Sequence, residues 1–204
     1  KTKNLQILSN KGYTYRNAFT VAPTCSPSRS ALMTGLYPHQ NGMYGLAHRG
    51  SRINDYELHL SNFLKSKNYE TALFGIQHEI DYENISELGY RHLEVDEKRD
   101  TSKIANSATK WINNYNSSKP FFISIGFFDT HRDYPNELNK NFDPRWIRPP
   151  EIFFDNQDLR QDMAKFYTAL KRVDKAIGKI LNSLDEKSFL NDTLILVTTD
   201  HGIA

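Results

Sequence analysis

The sequence predicts an α/β fold in which helices flank a largely parallel β-sheet. Two nearly continuous apolar runs, residues 121–128 and 194–199, are typical of central strands that are buried on both faces. Between them, residues 158–184 repeat apolar side chains at spacings of three and four, which indicates a long amphipathic helix. This alternation of strands and helices predicts an α/β sandwich.

The elements before the first apolar run are shorter. Residues 1–12 are predicted to be the end of a helix, and residues 13–20 a short strand. Ser26 is a good N-cap residue, Pro27 suits the first helical position, and Gly35 suits the left-handed residue that ends a helix. We therefore expect a short helix between Ser26 and Gly35.

Composition and periodicity decide the remaining segments. They predict a polar loop over residues 37–55, a helix over 57–67, a strand over 71–75, irregular structure over 81–100, a helix over 102–115 and a long loop over 133–156. Because long polar loops are usually kept for function, we expect the loops at 37–55 and 133–156 to lie near a site.

Composition also restricts the classes of function. The net charge of +2 and the absence of basic runs argue against a nucleic-acid partner. No apolar stretch reaches the about 18 residues that a membrane span needs, so we expect none. The single cysteine, Cys25, excludes an internal disulfide framework.

Cys25 directly precedes the short helix that is predicted from Ser26. The N–H groups and the dipole at the start of a helix favour an anion, and Arg29 in the first turn is favourable only beside one. A lone cysteine is most often a small buried hydrophobe, although the polar neighbours of Cys25 are a poor setting for a core residue. On the residues alone, a structural cysteine and a reactive thiol both stay open.

The residues around Cys25 resemble the signature C-x-P-S-R-x-x-L-x-T-G of the type I sulfatases. The matching positions are Cys25, Pro27, Ser28, Arg29, Leu32, Thr34 and Gly35. The continuation GLYPHQNGMYGL, residues 35–46, is most similar to sulfamidase-like bacterial members of that family. The resemblance implies that Cys25 and Arg29 are catalytic, and that a formylglycine-generating enzyme oxidises Cys25 to formylglycine.

The resemblance extends loosely from about Arg16 to Gly202. It implies the alkaline-phosphatase-like sandwich of the sulfatases, with a largely parallel central sheet. In that family two further metal-binding aspartates come from a strand near the N-terminus, and they have no counterpart here. We therefore expect residues 1–204 to be a partial sulfatase catalytic domain that lacks this strand and a C-terminal part.

Polar side chains follow three of the predicted strands. They are His78 after the strand predicted over 71–75, Asp129 and His131 after the strand over 121–128, and Asp200 and His201 after the strand over 194–199. Ligands of parallel sheets bind beyond the carboxyl ends of the strands. A site at that edge is therefore predicted independently of the family resemblance.

The resemblance assigns Asp200 and His201 to a divalent metal, together with the modified Cys25. Calcium is the usual metal of the family, and it prefers oxygen ligands. The imidazole of His201 widens the choice to manganese or another metal that accepts nitrogen. Outside the family, an Asp-His pair after a strand would more often cap a helix.

Two further histidines match catalytic positions of the family. His131 matches the histidine that contacts the sulfate group or the leaving atom, and His78 matches the histidine of a G-K-x-H segment. The lysine of that segment is replaced by Ile76, which cannot contact sulfate. Either leaving-group activation differs or another cation takes over. The candidates for that cation are Arg49, Arg52 and Arg132.

The expected substrate is a sulfated carbohydrate, for example an N-sulfated glucosamine. His48, Gln77 and Glu79 are candidates to bind it, because they lie close to the signature and to His78 in the sequence. Two alternatives stay open. One is a phosphonate or phosphodiester hydrolase of the same superfamily, and the other is an inactive glycan-binding relative, which Ile76 motivates.

Overall fold

The computed structural model describes residues 2–96 and 100–202. The helices in these ranges are α1 (Lys3–Lys11), α2 (Cys25–Thr34), α3 (Pro38–Asn41), α4 (Leu60–Ser66), α5 (Thr101–Asn114) and α6 (Gln157–Glu186). The strands are β1 (Glu70–Gly75), β2 (His92–Glu94) and β3 (Phe121–Gly126). Short 3₁₀ helices lie at Ala47–Arg49, Tyr56–Leu58, Tyr82–Leu88, Pro144–Trp146 and Leu190–Asp192.

The chain divides into two compact units. The helical unit contains α1, α5, α6 and the connection over residues 127–156. The sheet unit contains β1 to β3, α2 to α4, the loops between them and residues 192–202.

The sheet unit is built on a parallel sheet with the strand order β2-β1-β3. In the centre of β1, Leu73 pairs with Leu93 of β2 and with Ser124 of β3. Every residue of β1 after Glu70 is buried, as expected for a strand with a neighbour on each side. The parallel sheet and the surrounding helices confirm the predicted α/β class.

Gly126 allows the chain to run very close to the end of β3. β1 and β3 end side by side at Gly75 and Gly126, and the N–H of Ile76 donates to the carbonyl of Gly126 (3.2 Å). A Cβ atom at position 126 would overlap the carbonyl oxygen of Ile76, so a side chain there would push the two backbones apart. This close approach fixes the position of Ile76, the first residue of the segment that follows β1.

One cluster of buried apolar side chains stabilises the sheet unit. Its members are Met43, Ala47, Ile53, Tyr56, Leu73, Ile80, Leu88 and Tyr90. Three of them, Met43, Ala47 and Ile53, come from the segment over residues 37–55 that was expected to be a polar loop. That segment therefore contributes to the core as well as to the surface.

In the helical unit, α1 is attached to α6 through a buried carboxylate. Asp174 of α6 accepts hydrogen bonds from the N–H of Leu5 (2.9 Å) and from Nδ2 of Asn4 (3.2 Å). These groups lie in the first turn of α1, whose N–H groups have no partner within the helix. α6 itself begins at Asn156, whose side chain accepts from the N–H of Leu159 (2.8 Å).

Two predicted strands are wrong. Residues 13–20 form no strand and are exposed, and residues 194–199 form none either. Leu194 is 96% exposed and Leu196 is 73% exposed. A strand needs a neighbour for its backbone groups, and no described strand pairs with either segment. For the same reason β3, an edge strand among the described residues, is half-buried and not covered on both faces.

The ends of α2 differ partly from the prediction. The helix begins at Cys25 with Thr24 as N-cap, so Ser26 is not the cap and Pro27 is the third helical residue. The hydroxyl of Ser26 instead accepts from the N–H of Ala47 (3.0 Å). The helix ends as predicted, because Gly35 follows it in the left-handed conformation (φ 69°).

The short strand β2 falls in a stretch that the sequence predicts to be irregular. The other predicted elements agree with the structure within a few residues: α1, α4 with the 3₁₀ helix Tyr56–Leu58 before it, α5, α6 and β1. Within residues 2–96 and 100–202, no helix is both long and apolar enough to cross a membrane.

Candidate active site

The sheet unit brings Cys25, at the start of α2, next to the segment that ends at His201. The Sγ atom of Cys25 lies 3.3 Å from Nε2 of His201. The hydroxyl of Ser28, one turn further along α2, donates a short hydrogen bond to the carbonyl of Asp200. Residues 172 and 176 positions apart in the sequence therefore meet at the first turn of α2, where N–H groups and the helix dipole favour negative charge.

Arg29 connects this meeting point to the segment after β1. Its Nε donates to Oδ2 of Asp200 (2.8 Å), and its Nη1 donates to the carbonyl of Gln77 (3.1 Å). The side chains of Arg29 and Asp200 are each 23% exposed, so the ion pair is only partly screened by water. The planar guanidinium can hold both partners at once because its donors point in fixed directions.

The charges at this site determine the ionisation of its members. Burial by itself would raise the pKa of Asp200, but the charge and the hydrogen bond of Arg29 outweigh it and lower that pKa below its usual value. Burial and the neighbouring Asp200 raise the pKa of the Cys25 thiol, although Arg29 opposes them. At neutral pH, Asp200 is therefore a carboxylate, and unmodified Cys25 is a thiol and not a reactive thiolate.

Cys25, Asp200 and His201 form a cluster that could hold a metal ion. One sulfur, one carboxylate oxygen and one imidazole nitrogen lie within 4.8 Å of one another. The oxygen and the nitrogen suit a manganese-like ion, and the oxygen suits calcium. A sulfur atom suits neither, whereas the oxygen that formylglycine carries at the same position would suit both. The donor set would therefore fit a divalent metal better with an oxygen in place of the sulfur at position 25.

His78 and His48 lie near each other in the sheet unit. Their ring centroids are 6.3 Å apart. His48 is exposed in the 3₁₀ helix Ala47–Arg49, and His78 is half-buried with a left-handed backbone (φ 64°). Catalysis by His78 and substrate binding by His48 stay predictions.

Gln77 and Glu79 are buried and bonded inside the sheet unit. Nε2 of Gln77 donates to the carbonyl of Ile80 (2.7 Å), and its Oε1 accepts from the N–H of Ile80 (3.0 Å). Oε2 of Glu79 lies 2.6 Å from Nε2 of His59. The structure therefore gives both side chains internal partners, and substrate binding by Gln77 and Glu79 stays a prediction.

His131 and Arg132 belong to the helical unit. The ring of His131 stacks on Phe128 with 4.3 Å between centroids, and Arg132 forms a bidentate ion pair with Asp162 (2.9 and 2.7 Å). Asp129 accepts a short hydrogen bond from the hydroxyl of Thr101. The catalytic role of His131 stays a prediction.

The segment after β1 has an apolar residue where the family has a lysine. Ile76 is buried, so its side chain contributes no charge and no surface to a ligand. Arg52, one candidate to replace the lysine, forms an exposed ion pair with Glu87 (2.7 Å). A different guanidinium, that of Arg29, donates a hydrogen bond to the carbonyl of Gln77, the residue after Ile76.

Sequence reasoning missed His59 altogether. It is the N-cap of α4, is fully buried, and contacts Glu79 from a position twenty residues earlier. The signal that could have found it is a histidine directly before a helical segment, in an N-cap position that usually holds Ser, Thr, Asp or Asn.

Comparison with known proteins identifies the family of this chain. A family model described as "Sulfatase" matches residues 1–204. N-sulphoglucosamine sulphohydrolase of Homo sapiens is 28% identical over 232 residues, which cover 99% of this chain and 46% of that protein. The chain thus spans about half the length of this curated relative. It belongs to the sulfatase family.

Solved structures share the fold. One is a protein in complex with its substrate, D-glucosamine-2-N,6-O-disulfate, with a TM-score of 0.70 and 17% identity over 94% of this chain and 58% of the other. Another is the phosphonate monoester hydrolase of Agrobacterium radiobacter, with a TM-score of 0.70 and 16% identity over 94% of this chain and 56% of the other. These similarities agree with the expected alkaline-phosphatase-like architecture.

Proposed function

We propose that the protein hydrolyses the sulfate ester or sulfamate group of a sulfated sugar, with Cys25 as the residue that is modified for catalysis. The observation that carries the proposal is the meeting of Cys25, Arg29, Asp200 and His201 at the first turn of α2. It combines a modifiable side chain, a guanidinium and a pair of metal-ligand side chains at a position that favours an anion. Residues 1–204 would then form part of the catalytic domain.

Conversion of Cys25 to formylglycine explains why the cysteine at this position does not need to ionise easily to a thiolate. The raised pKa makes unmodified Cys25 a weak nucleophile at neutral pH. One hydroxyl of the hydrated aldehyde would attack the sulfur, and the bond from sulfur to the leaving oxygen or nitrogen would break. Loss of the proton from the second hydroxyl would then break the bond between the carbon of residue 25 and the sulfated oxygen, which releases sulfate and restores the aldehyde. A formylglycine-generating enzyme is the partner that this proposal requires.

Asp200, His201 and the modified residue 25 would hold the divalent metal, calcium or manganese. When bound, that ion would supply positive charge that lowers the pKa of a neighbouring hydroxyl. Asp200 is suited to this task because it stays ionised, since Arg29 lowers its pKa. His201 is suited because its Nε2 already faces position 25.

Arg29 and His78 have separate tasks in this proposal. Arg29 holds the developing negative charge of the sulfate group, and its contacts with Asp200 and Gln77 keep the guanidinium in one orientation. His78 donates a proton to the leaving amine or alcohol, as a general acid. No lysine is needed at position 76 if Arg29 provides the cation.

An N-sulfated or O-sulfated glucosamine is the proposed substrate class. Support comes from the human N-sulphoglucosamine sulphohydrolase and from the similar structure solved with a glucosamine disulfate. Full-length protein co-expressed with a formylglycine-generating enzyme should release sulfate from N-sulfoglucosamine or from para-nitrophenyl sulfate. Mass spectrometry of the peptide that contains Cys25 should detect the aldehyde. An unconverted cysteine in active protein would contradict the mechanism, and an inactive protein with unconverted cysteine would favour the glycan-binding alternative.

A phosphonate or phosphodiester hydrolase is the second candidate. The imidazole of His201 in the metal cluster and the similarity to a phosphonate monoester hydrolase both favour it. Chelated enzyme resupplied with calcium or with manganese should be assayed on para-nitrophenyl sulfate and para-nitrophenyl phenylphosphonate. Preference for the sulfate in either metal supports the sulfatase proposal, and preference for the phosphonate with manganese supports the alternative.

A further inference from the structure

The sheet unit contains a buried His-Glu pair that the proposed mechanism does not use. Nε2 of His59 lies 2.6 Å from Oε2 of Glu79, and the two side chains are 0% and 3% exposed. Nδ1 of His59 faces Ser61, and Nε2 is the ring nitrogen that donates to Glu79, because a carboxylate oxygen can only accept. Burying these polar groups is costly unless each keeps its partner, so the pair holds its members firmly in place.

The pair is part of a larger buried network. The hydroxyl of Ser61 lies 2.6 Å from Nδ1 of His59 and donates a short hydrogen bond to the carbonyl of Leu88. The ring of His59 meets the ring of Tyr90 edge-on, with 6.0 Å between centroids. The imidazole is therefore fixed from several sides, and Glu79 is held by a group that cannot move easily.

Both the main chain and the side chain of Glu79 are anchored. Its N–H donates to Oε1 of Gln77, and its carbonyl accepts from the hydroxyl of Tyr56 (3.2 Å). Gln77, on the other side of His78, is anchored through Ile80 in the same way. His78 is thus placed between two fixed residues.

His78 needs such support because its backbone is left-handed (φ 64°). Residues other than glycine adopt this conformation at an energetic cost, and it persists only where the surroundings impose it. The carbonyl of Gln77, next to it, accepts from Nη1 of Arg29 (3.1 Å). Two groups of the proposed mechanism, His78 and Arg29, therefore depend on the placement of one short segment.

We propose that His59 and Glu79 are positioning residues, which hold the segment 77–80 so that His78 and Arg29 face the reacting group. This inference rests on the proposed sulfatase function. The competing explanation is that the pair only attaches α4 to the segment after β1, in which case its loss would lower stability and leave turnover unchanged.

The test compares two variants at one position in the full-length, formylglycine-containing protein. Glu79→Leu removes the acceptor for Nε2 of His59, whereas Glu79→Gln keeps an oxygen acceptor of the same shape. Thr71→Val is the matched control, because it removes another buried hydrogen bond of the sheet unit, from Thr71 to the carbonyl of Gly89 (3.2 Å). Each variant is assayed for kcat and KM on para-nitrophenyl sulfate and for its melting temperature.

We expect Glu79→Leu to lower kcat about tenfold or more with KM changed less than about twofold, since misplaced catalytic groups affect the transition state more than substrate binding. Glu79→Gln should recover most of kcat. Thr71→Val should lower the melting temperature and leave kcat within about twofold. Equal kcat values in Glu79→Leu and Thr71→Val would overturn the proposal.

A second measurement needs no turnover and separates this proposal from the function on which it rests. Histidine-labelled protein reports the ring resonances of His78 by NMR, assigned with a His78→Gln variant. They should shift in Glu79→Leu and stay in place in Thr71→Val, even if no sulfate ester is hydrolysed. Unchanged His78 resonances in Glu79→Leu would overturn the positioning role, whatever the substrate is.

Discussion

Two segments of the sheet unit reach the candidate active site, and they are held in opposite ways. The segment after β1, residues 76–80, is buried except for a half-exposed His78, and its side chains and main chain are hydrogen-bonded inside the unit. The segment over residues 194–199 is largely exposed and forms no strand. Even so, Arg29 connects them, because it donates to the carbonyl of Gln77 in the first segment and to the carboxylate of Asp200 directly after the second.

His78 and Asp200 therefore owe their positions to different kinds of contact. His78 is placed by a network beneath it, whereas Asp200 is placed by contacts within the site itself, from Arg29 and Ser28. A change in the first segment should therefore act through its buried partners. A change in the second should act only where it touches α2.

The largest effect is expected at Cys25, where the second segment meets α2. Cys25→Ala should abolish turnover of para-nitrophenyl sulfate, a loss of more than about 10³-fold, because no nucleophile remains. The side chain is half-buried in a polar site, so the free energy of unfolding should change by less than about 1 kcal/mol. Turnover of Cys25→Ala close to that of the unmutated protein would contradict the mechanism.

Arg29 joins the two segments, and its replacement should have the next largest effect. Arg29→Lys keeps the charge but cannot bind Asp200 and the carbonyl of Gln77 in the same way, so kcat should fall about 10²-fold. Steady-state kinetics check this. Arg145→Lys is the control, since Arg145 is exposed and pairs with Asp143. A change confined to KM would argue against a role for Arg29 in the transition state.

Gly126→Ala tests how the first segment is placed. Its Cβ atom would overlap the backbone of Ile76, which must then shift, so we expect a loss of about 1–3 kcal/mol in the free energy of unfolding. The turnover should fall as well, because the shifted residues lead directly to His78. Gly12→Ala is the control, because its Cβ would be 3.4 Å from the carbonyl oxygen of Leu8, an ordinary contact. Denaturant unfolding measures the free energy of unfolding of both variants, and equal losses in the two would contradict the prediction.

The smallest effect is expected in the second segment. Leu196→Ala should change the free energy of unfolding of the 204-residue chain by less than about 0.5 kcal/mol, because the side chain is exposed. Leu73→Ala, at a buried leucine of β1, should cost about 2–5 kcal/mol in the same denaturant experiment. A similar cost at both positions would mean that residues 194–199 are covered, as their apolar sequence predicts.

The sequence correctly predicted those elements whose pattern of apolar residues lies within the element itself. The three-and-four spacing of α6 and the apolar run of β1 lie within the elements themselves, and both agree with the structure. The strand expected over residues 194–199 requires a neighbouring strand, and the sequence of one strand does not show whether such a neighbour is present. The strand β2 was not predicted because it has only three residues, two of which are polar.

Only part of the candidate site was predicted, because contacts between residues far apart in the sequence are not visible in it. Arg29 and Asp200 were named through a family resemblance, and the structure brings them together across 171 positions. Glu79 was predicted to bind substrate because it lies beside His78 in the sequence, which says nothing about the direction of its side chain. His59 was not predicted, because its importance depends on a partner that only the folded chain supplies.

The contact between Gly126 and Ile76 also has an evolutionary consequence. The segment that carries His78 can lie where it does only because residue 126 is a glycine and has no Cβ atom. Any descendant of this sequence that gains a side chain there must also move its backbone at position 76, fifty residues away, in the same step or lose the arrangement. Exchange between glycine and larger residues at position 126 should therefore be rare among descendants that keep the site, and it should be accompanied by changes in the segment after β1.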